Sequence, residues 1–85
     1  MLSREKLAEI YDLYGGELLA FALGFIPDRD AAEDVLHDAF VRLINFSARR
    51  DIDESNIRAL LYRITKNLCL ARYRKGGRAL RVERG

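Results

Sequence analysis

Apolar side chains recur every three or four residues in three stretches of the chain, a spacing that places them on one face of an α-helix. The first stretch predicts a helix from about Arg4 to Phe25, and Pro27 marks its end. Its apolar face consists of Leu7, Ile10, Tyr11, Tyr14, Leu18, Phe21, Ala22 and Phe25. Gly15 and Gly16 lie inside this helix, where close packing or a slight bend would account for them.

The second stretch begins after Pro27 and predicts a helix that ends near Phe46. Either Asp28 or Asp30 can cap its first turn, and Glu33 completes a capping-box arrangement with Asp30. The buried stripe of this helix consists of Ala32, Val35, Leu36, Ala39, Phe40 and Leu43. Residues 47–55 have no periodicity and predict a loop.

The third stretch predicts a helix that is capped by Ser55 or Asp53 and ended by Gly76 and Gly77. Its apolar face consists of Ile57, Leu60, Leu61, Ile64 and Leu68, with Tyr73 as a further candidate. No stretch alternates in the manner of a β-strand. The predicted fold class is therefore all-α, a compact bundle of three main helices with room for one short extra helical turn.

Charge is divided unevenly along the chain, although the formal net charge is only +2. Residues 1–46 carry four lysines or arginines against nine aspartates or glutamates, whereas residues 47–85 carry eleven against four. We expect the basic half to meet an anionic polymer and the acidic half to meet a basic protein surface. No apolar run approaches the ~20 residues of a membrane span, and the charged N-terminus lacks a signal-peptide core, so the sequence favours a cytoplasmic protein.

The acidic residues of the second helix admit two interpretations. Asp34 and Asp38 lie four residues apart with His37 beside them, which is typical of a solvated face or, alternatively, of a face that binds cationic groups. An acid/base pair fits poorly, because the helix exposes both carboxylates to water. The single cysteine, Cys69, is expected in the core. Without a nucleophile, a metal cluster or a phosphate loop, we expect no enzyme, no metal site and no cofactor.

The third helix carries a basic face made of Arg58, Arg63, Lys66, Arg72, Arg74 and Lys75. Such a charge run is usually a solvated face. Here hydrogen-bonding and stacking side chains are interleaved with the cations, namely Asn56, Asn67, Tyr62 and Tyr73. Arg49 and Arg50 precede the helix. Contacts to phosphates and to unstacked bases of a nucleic acid are therefore the alternative.

Three segments carry a family resemblance. The segment AAEDVLHDAFVRL, residues 31–43, is similar to the region 2.2 helix of bacterial sigma factors of the extracytoplasmic-function group, whose usual pattern is A-E-D-hydrophobic-hydrophobic-Q-E-x-F. The segment NIRALLYRITKNLCLARYR, residues 56–74, is similar to regions 2.3 and 2.4 of the same group, and residues 7–30 fit region 2.1. The three segments occur in the family order, so the chain resembles the region 2 domain of these sigma-70 family proteins.

The resemblance implies a transcription-initiation domain with two partners. In this family the region 2.2 helix docks on the clamp helices of the largest subunit of core RNA polymerase, and matching positions give Asp34, His37 and Asp38 as the polymerase-binding residues. Regions 2.3 and 2.4, with the preceding loop, capture the melted −10 promoter element as a single non-template strand. The expected DNA-binding residues are Arg49, Arg50, Asn56, Arg58, Arg63, Lys66, Asn67 and Arg74. Phe46, Arg49, Arg50 and Ile52 are the candidates for the base pocket of the loop.

The resemblance also divides the chain. Residues 1–75 would form the region 2-like domain with regions 2.1 to 2.4, and residues 76–85 would form a basic tail or the start of a linker to a region 4 domain that this sequence does not reach. The alternative function is a helical interaction module that keeps the sigma fold but binds only protein, such as an anti-sigma factor. Retention of a protein partner without nucleic-acid binding would favour that alternative.

Overall fold

Three α-helices and one short 3₁₀ helix make up the computed structural model, which describes the backbone of residues 2–84 and the side chains of residues 2–72 and Arg74. Helix α1 is Arg4–Leu23, α2 is Arg29–Arg49 and α3 is Ile57–Arg84, and the 3₁₀ helix Glu54–Asn56 directly precedes α3. Each α-helix packs against the other two. The predicted all-α bundle of three main helices with one short extra turn is confirmed.

Local capping fixes where α2 and the 3₁₀ helix begin. The Asp28 carboxylate accepts a hydrogen bond from the Asp30 N–H at 3.0 Å, so Asp28 is the cap and Asp30 lies inside α2. Asp53 caps the 3₁₀ helix, accepting from the Ser55 N–H at 3.0 Å and from the Ser55 hydroxyl at 2.7 Å. These hydrogen bonds hold the pKa of the Asp53 carboxyl below its usual range. Of the alternatives left open by the sequence, Asp28 and Asp53 are therefore the caps.

The first two helices end at residues other than the predicted ones. Helix α1 ends at Leu23, two residues earlier than predicted. Helix α2 continues to Arg49, so the predicted loop begins only at Arg50. Ser47 lies in this last turn of α2, where it is buried and its hydroxyl donates a hydrogen bond to the Ile44 carbonyl at 2.8 Å, so a polar residue is accommodated inside the helix.

The predicted end of the third helix at Gly76 and Gly77 is wrong, because α3 continues to Arg84. Glycine weakens a helix by only about 1 kcal/mol relative to alanine, and it ends a helix most effectively in the left-handed conformation. Among the described residues no glycine has a positive φ. The domain boundary predicted near residue 75 stays a prediction, and the side chains around it lie outside the described residues.

Two clusters of buried side chains form the core. One contains Ile10, Leu18, Leu36, Phe40, Leu43, Ile57 and Leu61, and the other contains Ala22, Ile26, Ala32, Val35 and Cys69. The whole predicted stripe of α2 is buried, which confirms its register. The core placement predicted for Cys69 is also confirmed, and burial raises the pKa of its thiol.

Helix α3 buries a line of side chains that differs in part from the predicted one. Its fully buried positions come every four residues and are Ile57, Leu61, Thr65 and Cys69. The predicted core residues Leu60, Ile64 and Leu68 are half-buried. Leu60 and Leu68 pack against the core clusters, and all three also lie beside an open groove next to α2. On the opposite flank, Tyr62 packs edge-on against Phe21 with ring centroids 5.0 Å apart. The Tyr73 side chain lies outside the described residues.

Within residues 2–84, each helix is too short or too polar to cross a lipid bilayer.

Candidate nucleic-acid interface

An open groove separates the C-terminal half of α2 from the middle of α3, and we call it the basic groove. Its lining residues are Arg42, Asn45, Phe46, Arg49, Arg50, Leu60, Arg63, Ile64 and Asn67, around a cavity of about 640 Å³. Four of them are arginines, two are asparagines and, among the described residues that line the groove, none is acidic. The groove therefore combines a positive charge with hydrogen-bonding groups, which suits a polyanion.

The helical period explains how the two walls form. On α2 the lining residues are Arg42, Asn45, Phe46 and Arg49, and on α3 they are Leu60, Arg63, Ile64 and Asn67. Both sets follow the three- and four-residue spacing of one helix face. The half-buried Leu60 and Ile64 supply apolar surface, while the four arginines are exposed. An apolar surface beneath cations can receive a flat base and its phosphate together.

A second cavity of about 260 Å³ extends the basic groove along α3. It shares Arg42, Ile64 and Asn67 with the first cavity and adds Leu68 and Ala71. The lining of α3 then runs from residue 60 to residue 71, which is about 16 Å at a rise of 1.5 Å per residue. That length holds roughly five nucleotides at the ~3.4 Å spacing of a stacked strand, and fewer when the bases are unstacked.

Phe46 and Arg50 form a stacked pair at one end of the basic groove. The guanidinium carbon of Arg50 lies 5.3 Å from the centroid of the Phe46 ring, within the range of a cation–π interaction. Arg50 is the C-cap of α2, and its N–H donates to the Phe46 carbonyl at 3.1 Å. The Phe46 side chain is 36 % exposed, so its ring belongs to the groove and not to the core.

The basic groove brings together four of the eight predicted DNA-binding residues, namely Arg49, Arg50, Arg63 and Asn67. The other four lie outside its lining. Asn56 is exposed in the 3₁₀ helix, and Lys66 and Arg74 are exposed on α3. The predicted roles of these residues in binding DNA stay predictions.

Arg58, the fourth residue outside the groove, is engaged with α1. Its Nε donates to Glu17 at 2.7 Å and its Nη2 to the other Glu17 oxygen at 3.4 Å. The Glu17 carboxylate raises the pKa of Arg58. The guanidinium also lies 5.1 Å from the Tyr62 ring centroid. Arg58 therefore ties α1 to α3 in this structure, with its charge already paired.

The sequence prediction missed several residues of the groove. Arg42 and Asn45 were not among the predicted DNA-binding residues, and Leu60 and Ile64 were assigned to the core. A signal was present, because positions 42, 45, 46 and 49 form one flank of α2 beside its buried stripe. The sequence does not show that this flank faces α3 across a gap, which only the packing of the helices reveals.

The predicted polymerase-binding residues Asp34, His37 and Asp38 are all exposed on the outer side of α2, and we call them the acidic face. Within the described residues, no ion pair involves any of the three. Two exposed apolar residues, Val41 and Ile44, follow on the same side of the helix. This arrangement leaves three ionisable groups and an apolar neighbour available to a partner with a basic surface.

Nothing in the described residues assembles a metal site, because no group of three His, Cys, Asp or Glu side chains there could hold an ion.

Comparison with known protein families gives a match over most of the chain. The profile of the Sigma-70 region 2 family matches residues 10–79, which is most of the chain. No curated protein and no solved structure matches the chain significantly. The matched segment contains both the acidic face and the whole lining of the basic groove.

Proposed function

The chain belongs to the Sigma-70 region 2 family, and from this premise we propose that it is the region 2 domain of an extracytoplasmic-function sigma factor. In this proposal the acidic face binds the clamp helices of core RNA polymerase, and the basic groove holds the −10 non-template strand as a single strand. The family itself is one of sigma factors, with a non-enzymatic role in transcription initiation that involves RNA polymerase and promoter DNA. The finer assignments rest on the surfaces described above.

The observation that carries the DNA part of the proposal is the composition of the basic groove. Arginines at its rim can neutralise phosphates, which supplies affinity without sequence information. The Phe46 ring and the half-buried Leu60 and Ile64 offer apolar surface to a base. A base can use that surface only after it has left the duplex stack. The groove therefore favours a melted strand over a duplex.

Sequence discrimination within the strand is assigned to the asparagines of the groove. Asn67 lines both cavities, and its amide carries donors and acceptors that can read the edge of a base. Asn45 faces the first cavity from α2. The arginines hold any strand, and the amides distinguish one base from another.

Binding of labelled oligonucleotides tests the DNA assignment. Fluorescence anisotropy at several salt concentrations should give tighter binding to a 12-nucleotide −10 strand than to the same sequence as duplex. Asn67→Ala should weaken binding to the preferred strand more than to a scrambled strand, because only the base contact is lost. Asn56→Ala, which changes an asparagine outside the groove, is the matched comparison and tests its predicted role in the same titration.

The outcome decides between the proposal and its rival. Equal binding to duplex and single strand, or no binding to either at low salt, would contradict the promoter-strand role. An equal loss on both sequences for Asn67→Ala would remove only its part in base discrimination.

A protein-only interaction module is the rival function, and one observation favours it. Tyr11, Val41 and Ile44 are exposed apolar residues on α1 and α2. Val41 and Ile44 follow the acidic face on α2, and Tyr11 packs against Phe40 of the same helix. Such residues are common where a protein partner docks, and an anti-sigma factor is the partner that the rival names. Binding of an anti-sigma factor with loss of strand binding would support the rival.

A further inference from the structure

We propose that the Phe46 ring is a stacking platform for one unpaired base and that Arg50 covers this ring until the strand arrives. When a base stacks on Phe46, the Arg50 guanidinium leaves the ring and moves to a phosphate of the same strand. This inference rests on the proposed function, because it requires a single strand in the basic groove. It assigns a chemical role to a pair of residues at one end of that groove.

The first ground is the position of the Phe46 ring. Phe21, Phe25 and Phe40 each pack against another aromatic ring, whereas Phe46 contacts the Arg50 guanidinium. Phe46 belongs to neither core cluster and lines the groove. The ring therefore lies outside the buried core clusters, and its exposed part faces the groove, where a flat ligand of the size of a base can reach it.

The second ground is that the guanidinium of Arg50 is held weakly, whereas its backbone is held firmly. A cation over an exposed ring is a weak contact, and a stacked base contributes more free energy than that contact does. The backbone of Arg50 is anchored, since its N–H donates to the Phe46 carbonyl at 3.1 Å. Because the backbone is anchored, a guanidinium displaced from the ring can move no farther than the length of the Arg50 side chain. It therefore stays at the groove, where a phosphate can take the place of the ring as its partner.

A second cation–π pair in the molecule shows the contrast. Arg58 lies over Tyr62 at 5.1 Å, but the same guanidinium donates to both carboxylate oxygens of Glu17. Tyr62 is also packed against Phe21. Arg58 cannot leave without breaking an ion pair, whereas within the described residues no carboxylate is paired with Arg50. The pair at the groove is the exchangeable one.

Two substitutions test the Phe46 ring and the Arg50 guanidinium separately. Phe46→Leu keeps apolar volume and removes the ring, so we expect about tenfold weaker binding of the 12-nucleotide strand, with an unchanged salt dependence. Arg50→Ala uncovers the ring and removes one phosphate contact, so the slope of log K against log salt should fall by about 0.7. At high salt, where phosphate contacts are weak, Arg50→Ala should bind at least as tightly as the wild type.

A set of strands that each carry one abasic site supplies the matched probe. At the position whose base stacks on Phe46, the wild type should lose affinity by the same factor as Phe46→Leu loses for the intact strand. Phe46→Leu should bind that strand and the intact strand with a much smaller difference. Tyr11→Leu is the control, because Tyr11 is similarly exposed, at 41 %, but does not line the groove. Circular dichroism verifies that each variant is folded.

The failures are distinguishable. If the wild type binds the strand and Phe46→Leu binds it equally well, the platform is wrong while the proposed function stands. If Arg50→Ala weakens binding by one factor at all salt concentrations, Arg50 does not move to a phosphate. If the wild type binds no strand even at low salt, the proposed function fails and this inference fails with it.

Discussion

The acidic face and the basic groove share one helix, α2, but they are built in different ways. Asp34, His37 and Asp38 lie within five consecutive residues and become a surface as soon as α2 forms. The basic groove needs the flank of α2, its C-cap Arg50 and a flank of α3 that follows the 3₁₀ helix. The first surface is thus a property of secondary structure, and the second is a property of packing.

The two surfaces also differ in what they can hold. The acidic face is the convex side of a single helix, and its charges suit a rigid, basic protein surface. The basic groove is concave and open, and cations surround apolar surface inside it. A flexible chain with charged and flat parts fits such a groove better than a folded protein does. In shape and in charge, the two surfaces therefore suit different kinds of ligand.

A substitution in the core beneath α2, the helix that carries part of both surfaces, should have the largest effect. Phe40 is 8 % exposed and packs against Tyr11, with ring centroids 5.1 Å apart. Phe40→Ala should lower the free energy of unfolding by about 3–5 kcal/mol, which rivals the whole stability of a small domain. Both surfaces should then be lost together. Urea denaturation followed by circular dichroism measures the change.

Phe46→Ala is the matched control, because it truncates the same residue type on the same helix. Its side chain is 36 % exposed and outside both core clusters, so we expect a smaller loss, of about 1–2 kcal/mol. A melt of Phe40→Ala close to that of the wild type would contradict the burial of Phe40.

The comparison explains how much the sequence could predict. The apolar stripe from Ala32 to Leu43 is regular and buried along its whole length, so periodicity alone predicts it correctly. Because the acidic face lies outside this stripe, the same periodicity predicts that the acidic face is exposed. On α3 the same reasoning assigned Leu60 and Ile64 to the core, although both are half-buried. Hydrophobic spacing identifies the side of a helix that faces its neighbours, but not where two neighbours leave a gap.

Polar residues were harder to place, for a related reason. Thr65 is fully buried and Ser47 nearly so, although both types favour the surface. Arg58 counted as a cation of the basic face, yet it pairs with Glu17, 41 residues away in sequence. A contact of this range depends on the packing of α1 against α3. The sequence therefore shows how many cations α3 carries, but it does not show which of them are already paired with a carboxylate.

Charge reversal on the acidic face should have the next largest effect. Asp38→Lys, or Asp34→Lys, should weaken binding to core RNA polymerase by about 2 kcal/mol or more if the contact is desolvated. The fold should be unaffected, because both side chains are exposed. Titration with core polymerase measures the affinity. Asp12→Lys is the control, since it makes the same charge change at an exposed position of α1. Unchanged affinity with a native spectrum would remove the acidic face from the proposal.

A smaller effect should separate two cations that lie three residues apart on α3. Arg63 lines the basic groove, and Lys66, although exposed, does not. Arg63→Ala should lower the slope of log K for single-stranded DNA against log salt by about 0.7, and Lys66→Ala should lower it less. Polymerase binding should be unaffected in both. Equal slopes for the two variants would contradict the preference of the phosphates for the groove over the outer face of α3.

The smallest effect concerns a buried hydroxyl beneath the groove. Thr65 is fully buried, and its Oγ1 has no hydrogen-bond partner, so folding removes water from this oxygen without replacement. Thr65→Val has nearly the same shape and lacks the oxygen, and it should raise the free energy of unfolding by about 1 kcal/mol. Thr65→Ser is the counterpart, because it keeps the hydroxyl, removes a methyl group and should lower stability.

Urea denaturation and DNA binding of these two variants show whether the basic groove depends on the packing of the core beneath it. Ile64, the neighbour of Thr65, lines the groove, so a groove that depends on fine packing would change its affinity for DNA when Thr65 changes. We expect Thr65→Val to be more stable with unaltered binding, because valine has nearly the shape of threonine, removes the unpaired oxygen and leaves the flank of α3 in place. Lower stability of Thr65→Val would mean that the hydroxyl is satisfied in solution, for instance by the Leu61 carbonyl four residues earlier in the helix.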